Sequence, residues 1–126
     1  MVIVVAAMDV LLVEDDPRIA RVVERALTDV GHRVEVAHDG LAGLTSAERG
    51  NHDLVVLDVM LPEMDGIDTI KEIRKIPAYK HVPIIAVTAK AMKGDREKCM
   101  EAGAWDYLSK PVDAELMVGV LRAWLG

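Results

Sequence analysis

The sequence predicts one α/β domain, a parallel β-sheet sandwiched between helices. Three features lead there. Strand-like apolar runs alternate with amphipathic, helix-like runs five times within 126 residues. The connections between them are short, which suits consecutive units of a parallel sheet. Three of the apolar runs also end on a polar side chain, as strands do where they reach the surface. Asp9 to Val13 runs into Glu14-Asp15-Asp16, Leu54 to Leu57 into Asp58, and Pro83 to Val87 into Thr88.

Composition narrows the class. A chain of this length makes one domain with a single sizeable core. Apolar residues form 52% of it, too many for disorder. The formal charge of −6 and a pI near 5.1 argue against a nucleic-acid surface, which needs clustered Lys and Arg. Cys99 is the only cysteine. It excludes an internal disulfide and a cysteine-rich zinc site, fits a reducing cytoplasm, and reads as a small apolar helix residue. The start, Met1 to Ala7, is apolar but far shorter than the ~20 residues of a membrane span. It also lacks the charged start and apolar length of a secretory signal. Residues 1–8 read as an N-terminal extension or an appended segment, and 9–126 as the domain.

The elements follow in order. Asp9 to Val13 is a short buried strand. Asp16 before Pro17 is an N-cap followed by a proline at the first helical position. The helix it opens carries a stripe of Ile19, Val22, Val23, Ala26, Leu27 and Val30, and Gly31 stops it. Arg33 to Ala37 alternates polar and apolar residues, as a less deeply buried strand does. Gly40 to Glu48 is a short helix closed by Gly50. Leu54 to Asp58 is a strand buried on both faces. A Pro- and Gly-bearing turn follows, in which Glu63 and Asp65 shape the chain and stay solvated. Ile67, Ile70 and Ile73 mark the next buried helix face, and Tyr79 to Val82 a loop. Pro83 to Thr88 is a third buried strand. Lys90 to Ala102 is helical but offers little apolar surface, so its local stability is low. Gly103 ends it, Trp105 to Ser109 is a short strand, and Lys110-Pro111 breaks the chain. Asp113 caps a last helix bearing Leu116, Met117, Val120, Leu121 and Trp124. His32, His38, His52 and His81 fall in loops without metal spacing and read as solvated.

In parallel sheets the ligand crevice lies at the carboxyl ends of the strands. Glu14, Asp15, Asp58, Thr88 and Lys110 therefore converge on one cleft. Carboxylates gathered there repel unless a cation neutralises them. Oxygen ligands suit a hard ion such as Mg²⁺. A carboxylate beside it can attack phosphorus to give an aspartyl phosphate. The metal, an ammonium and a hydroxyl then stabilise the phosphoryl oxygens. Of the three consecutive acids, the capping role removes Asp16 and leaves Glu14 and Asp15 for the metal. Plainer readings remain: Thr88 as an ordinary β-former, Tyr107 as core, Lys110 as a surface lysine.

The pieces Leu-Leu-Val-Glu-Asp-Asp, Leu-Asp-Val-Met-Leu-Pro-Glu-Met-Asp-Gly, Ala-Val-Thr-Ala and Tyr-Leu-Ser-Lys-Pro stand in order along the chain. In them the chain strongly resembles the receiver (phosphoacceptor) domain of bacterial two-component response regulators, of the chemotaxis-regulator kind, over roughly residues 9–126. The resemblance implies a flavodoxin-like, doubly wound sheet of five parallel strands in the order 2-1-3-4-5, with five helices in three α/β/α layers. It implies that Asp58 is phosphorylated, that Asp15 binds Mg²⁺ directly, and that Glu14 acts through a bound water. Met60 would give its backbone carbonyl to the metal site. Thr88 would bond a phosphoryl oxygen beside the Ala89 N–H, and Lys110 would pair with the phosphoryl group. Tyr107 matches the aromatic position that swings inward with the Thr hydroxyl, and Lys110-Pro111 the step that is cis in the family.

The implied partners are a sensor histidine kinase or histidine phosphotransfer protein, and an output domain or protein. The output partner would meet the face made by the 90–102 helix, the 105–109 strand and the last helix. No nucleic-acid or membrane contact is implied, and the state is monomer or weak phosphorylation-dependent dimer. The first half looks more like receivers of DNA-binding regulators and the second like those of hybrid kinases. Three other functions are weaker. An aspartate-nucleophile phosphohydrolase would carry a second aspartate where Met60 stands. A flavin carrier would want a phosphate loop where Glu14-Asp15-Asp16 would repel one. A phosphorylation-independent interaction domain would leave the acids unused.

Overall fold

The computed structural model describes residues 7–59, 65–88 and 94–109. They form β1 (Asp9–Val13), α1 (Pro17–Asp29), β2 (Arg33–Ala37), α2 (Gly40–Arg49), β3 (Leu54–Asp58) and α3 (Gly66–Arg74). A 3-10 turn (Pro77–Tyr79), β4 (Ile84–Thr88), α4 (Asp95–Ala102) and β5 (Asp106–Ser109) complete them. Met60, Glu63, Ala89, the Lys110-Pro111 step, the last helix and residues 1–6 lie outside the described residues.

All four strand pairings are parallel, and the sheet order is β2-β1-β3-β4-β5. This is the flavodoxin-like order expected from the sequence. β3 and β4 are buried along their whole length. Because side chains alternate along a strand, Leu11, Val13, Val55, Leu57, Ile84 and Ala86 enter one core layer. Val10, Leu12, Leu54, Val56, Ile85 and Val87 enter the other. Ile70 and Ile73 of α3 and Cys99 and Ala102 of α4 cover the first layer, while Ala20, Val23 and Leu27 of α1 cover the second. β2 lies at an edge, and its half-exposed alternation is the one its sequence predicts.

The helix ends obey local chemistry. Asp16, Asp39 and Asp65 cap α1, α2 and α3, each side chain accepting a backbone N–H of the first turn. α1 and α4 close on a glycine with positive φ, Gly31 at +98° and Gly103 at +123°. In both, the glycine N–H and the next N–H reach back to the last turn (Gly31 to Thr28 and His32 to Leu27; Gly103 to Met100 and Ala104 to Cys99).

Four expectations need correction. Val22 is 56% exposed and Val30 41%, so the α1 stripe is narrower than the sequence suggests. Ala20, Val23 and Leu27 already fill the contact with the sheet, and Val30 lies past the helix end. Tyr79, placed in a loop, is fully buried in the 3-10 turn. His32 and His52 are buried rather than solvated. Each is held by polar partners: His32 Nδ1 accepts the Met8 N–H at 3.2 Å, and His52 lies between Tyr79 and Glu35. Cys99 is the small buried helix residue expected, its thiol pushed up to about 11, first by burial and then by Asp95.

The Tyr79 hydroxyl is a hub. It donates to the Gly50 carbonyl at 3.1 Å, accepts the His52 backbone N–H at 3.3 Å, and stands 2.8 Å from His52 Nδ1. His52 Nε2 in turn lies 2.8 Å from Glu35 Oε1 on β2. Tyr79→Phe keeps the ring and removes the hub, leaving polar groups underpaired. We expect a loss of about 1–3 kcal/mol, read as a lower urea midpoint at unchanged m-value.

Candidate functional site

The β1–β3 register pairs Val13 with Leu57, so Glu14 and Asp58 follow as neighbours at the carboxyl ends of two central strands. One oxygen from each of Glu14, Asp15 and Asp58 lies within 4.8 Å of the others. Glu14 is 3% exposed and Asp58 4%, while Asp15 faces solvent. The Glu14 N–H donates to Ala37 at 2.9 Å, and its Oε2 accepts the Asp16 N–H at 3.2 Å. His38 sets Nδ1 3.3 Å from the Glu14 carbonyl, a contact that no spacing in the sequence signals.

Asp16 turns away from this group, as its capping role requires. Its Oδ1 accepts the Arg18 N–H at 2.9 Å, and that bond, followed by the Arg18 side chain, holds its carboxyl below the usual range. Three carboxylate oxygens this close are mutually repulsive. Their donor set suits a hard divalent cation that retains water.

The next strands bring the hydroxyls. Asp58 pairs with Val87, so Thr88, fully buried, stands one residue beyond it at the end of β4. The Val59 N–H ties the two strand ends together by donating to the Val87 carbonyl at 2.9 Å. Tyr107 on β5 is paired with Ala86. Burial first, then the charge of Asp95, push its phenol above the usual range, with the Thr88 side chain opposing. Its oxygen is buried and, among the described residues, meets no partner at bonding geometry. Thr88 and Tyr107 are thus close without a formed bond between them. Met60, Ala89 and Lys110, which the sequence reading expects here, lie outside the described residues.

Gly66 opens α3 hard against the end of β3. A Cβ there would sit 2.3 Å from Val59 Cα and 2.6 Å from the Asp58 carbonyl oxygen, and its N–H donates to the Val59 carbonyl at 3.2 Å. The start of α3 therefore lies directly against the backbone that presents Asp58.

This fold and carboxylate cluster define a class, and comparison with known proteins names it. The family model described as the response regulator receiver domain matches residues 10–122. The chain belongs to this family, the receiver domains of two-component signalling. A similar solved structure is the receiver domain of sensor histidine kinase PA1611 from Pseudomonas aeruginosa PAO1, with a magnesium ion coordinated in its active site cleft. It is 42% identical with a TM-score of 0.87, and the match covers 96% of this chain and 99% of that one. The signal transduction histidine-protein kinase BarA of Escherichia coli is 36% identical over 115 residues, 91% of this chain and 12% of BarA. The transcriptional regulatory protein TcrA of Mycobacterium tuberculosis is 36% identical over 119 residues, 94% of this chain and 46% of TcrA. The chain spans from 12% to 54% of the length of these and other curated relatives. No helix among the described residues is long and apolar enough to cross a membrane.

Proposed function

We propose that the domain is a phosphorelay receiver that takes a phosphoryl group onto Asp58 and changes its binding face in response. The observation that carries this is the set of Glu14, Asp15 and Asp58 oxygens within 4.8 Å at the ends of β1 and β3. Asp15 and Asp58 would hold Mg²⁺ directly, Glu14 through water, and the Met60 carbonyl would complete the protein ligands. Bound there, the ion offsets the carboxylate charges and draws electron density from the phosphoryl oxygens. An Asp58 oxygen attacks phosphorus, the P–N bond to the donor imidazole breaks, and the imidazole leaves with that electron pair. Thr88 donates its hydroxyl to a phosphoryl oxygen beside the Ala89 N–H, and Lys110 supplies a positive charge.

Drawing Thr88 toward the phosphoryl group vacates space that Tyr107 enters, which biases α4, β5 and the last helix toward a second arrangement. The donor is a histidine kinase or histidine phosphotransfer protein, and the acceptor of the signal an output domain or protein on that face. The location is the cytoplasm, and the state a monomer or weak phosphorylation-dependent dimer. The chemistry stops at self-phosphorylation and slow hydrolysis, because Met60 stands where a turnover enzyme would carry a general acid.

Intact mass after incubation with acetyl phosphate and Mg²⁺ tests this. We expect one phosphoryl adduct, lost with EDTA and absent in Asp58→Asn. No adduct in the wild type, with no Mg²⁺ binding by titration, would make the domain a phosphorylation-independent interaction module.

A further inference from the structure

Arg74, the last residue of α3, is half-buried, yet among the described residues no carboxylate is a hydrogen-bond partner. Its guanidinium donates from Nε and Nη2 to the Gly103 carbonyl at 3.0 and 2.6 Å, and from Nη1 to the carbonyls of Tyr79 at 2.7 Å and Val82 at 2.5 Å. Burial lowers its pKa from the ordinary arginine value. The three acceptors lie at the end of α4, the end of the 3-10 turn and the approach to β4. The carboxyl ends of helices carry partial negative charge, and one planar cation satisfies several of their carbonyls together. Lysine, a point charge on a flexible stem, cannot reproduce that fork.

The seat is shaped around this side chain. Gly103 has φ +123°, and a Cβ on it would meet Arg74 Cγ at 2.8 Å. The opposite end of α4 differs. Gly94, at φ +89°, meets no atom of the described residues where a Cβ would go, and no side chain among them caps the helix. The buried residues of α4, Cys99 and Ala102, both lie in its second half. One end is bolted to α3 by this fork, whereas in the first turn Arg96 meets Asp106 of β5 at 3.8 Å, a longer and more exposed contact.

We propose that Arg74 is a positioning residue for signal output: it pins the carboxyl end of α4, so that phosphorylation of Asp58 displaces only the helix's first turn. This rests on the receiver reading given above and names how its response is confined. Among the described residues Arg74 bonds only to the Tyr79, Val82 and Gly103 carbonyls and to none of Glu14, Asp15, Asp58 or Thr88, so removing it should leave the chemistry intact and change where the response goes.

Amide hydrogen exchange tests this, with acetyl phosphate and Mg²⁺ as the probe, on wild type, Arg74→Gln and Arg74→Lys. Asp58 occupancy is followed in parallel by intact mass. In the wild type, phosphorylation should alter exchange at 95–98 and leave 99–104 protected. Arg74→Gln should phosphorylate within about twofold of the wild-type rate. Before phosphorylation its 99–104 amides should exchange about tenfold faster, the scale expected when bonds to a charged group are lost. After phosphorylation the change should run along all of α4, while the β1 and β3 amides stay protected in every variant. Arg74→Lys should fall between, and takes over the decision if Arg74→Gln does not fold. Unchanged protection at 99–104 in the variant, a wild-type response equal at both ends of α4, or faster exchange throughout the sheet would each overturn the proposal. An absent Asp58 adduct in the wild type would remove the receiver reading, and this inference with it.

Discussion

Asp15→Asn is expected to weaken Mg²⁺ binding about 100-fold and, in the same protein, to raise the melting temperature of the metal-free domain. Both effects come from one charge. Two unit charges about 4 Å apart at an effective dielectric near 20 interact by roughly 4 kcal/mol. A dication doubles that attraction, the retained asparagine carbonyl oxygen and the shed hydration offset most of it, and the 100-fold expected corresponds to about 2.7 kcal/mol. Without the ion, the same charge only repels Glu14 and Asp58, whose oxygens lie within 4.8 Å. Asp15 faces solvent, which screens the repulsion to about 0.5–1 kcal/mol. For a domain of this size that is a rise of roughly 2–5 °C. Calorimetric titration with Mg²⁺ reads the first effect, and thermal melts with and without the ion read the second. A variant that melts lower without metal would show that Asp15 makes a structural contribution larger than its repulsion.

Gly66→Ala should be the most damaging single-methyl change among the described residues. The added Cβ would meet backbone atoms of Asp58 and Val59, at 2.6 and 2.3 Å, so no side-chain rotation can make room. Either α3 lifts from the end of β3 or the Asp58 peptide moves. We expect about 3 kcal/mol of destabilisation, the upper part of the range for overpacking. Phosphorylation should be reduced at least tenfold even where the protein is still folded, since a misplacement of about 1 Å at a reacting group costs that much or more. Urea denaturation and the acetyl phosphate assay below the unfolding midpoint separate the two losses. Full activity in a folded Gly66→Ala would mean that the turn can relax without disturbing Asp58.

The sequence made visible whatever depends on neighbours along the chain. Asp16 before Pro17 announced a helix start, and with it which two of three consecutive acids remained for the cleft. The fully apolar β3 and β4 announced burial on both faces, and so the carboxyl-end position of Asp58 and Thr88. Contacts set only by packing left no local trace. Arg74 at a helix end looks like any solvated arginine. Its role depends on carbonyls up to 29 residues away. Tyr79 sat in a stretch with no periodicity, and its burial follows from a place in the core layer of Ile70, Ile73 and Ile84 and from bonds to Gly50 and His52. His52 read as a loop residue because nothing adjacent reveals Glu35 or the Tyr79 hydroxyl. Val22 erred the other way: its apolar side chain matched the helical stripe, yet Ala20 and Val23 already occupied the sheet contact.

The strand order has a consequence for inheritance. β1 lies between β2 and β3, so the three clustered carboxylates all come from the first 58 residues. Thr88, α4 and Tyr107 all come from residue 84 onward. A crossover anywhere between α3 and β4 would take the clustered carboxylates from one parent and Thr88, α4 and Tyr107 from the other. In such a chimera the sheet need be matched only along the β3–β4 seam, where Val55 to Asp58 meet Ile84 to Val87. The carboxylate cluster and the elements proposed to respond can therefore come from different parents, provided Arg74 of one still meets the Gly103 carbonyl of the other.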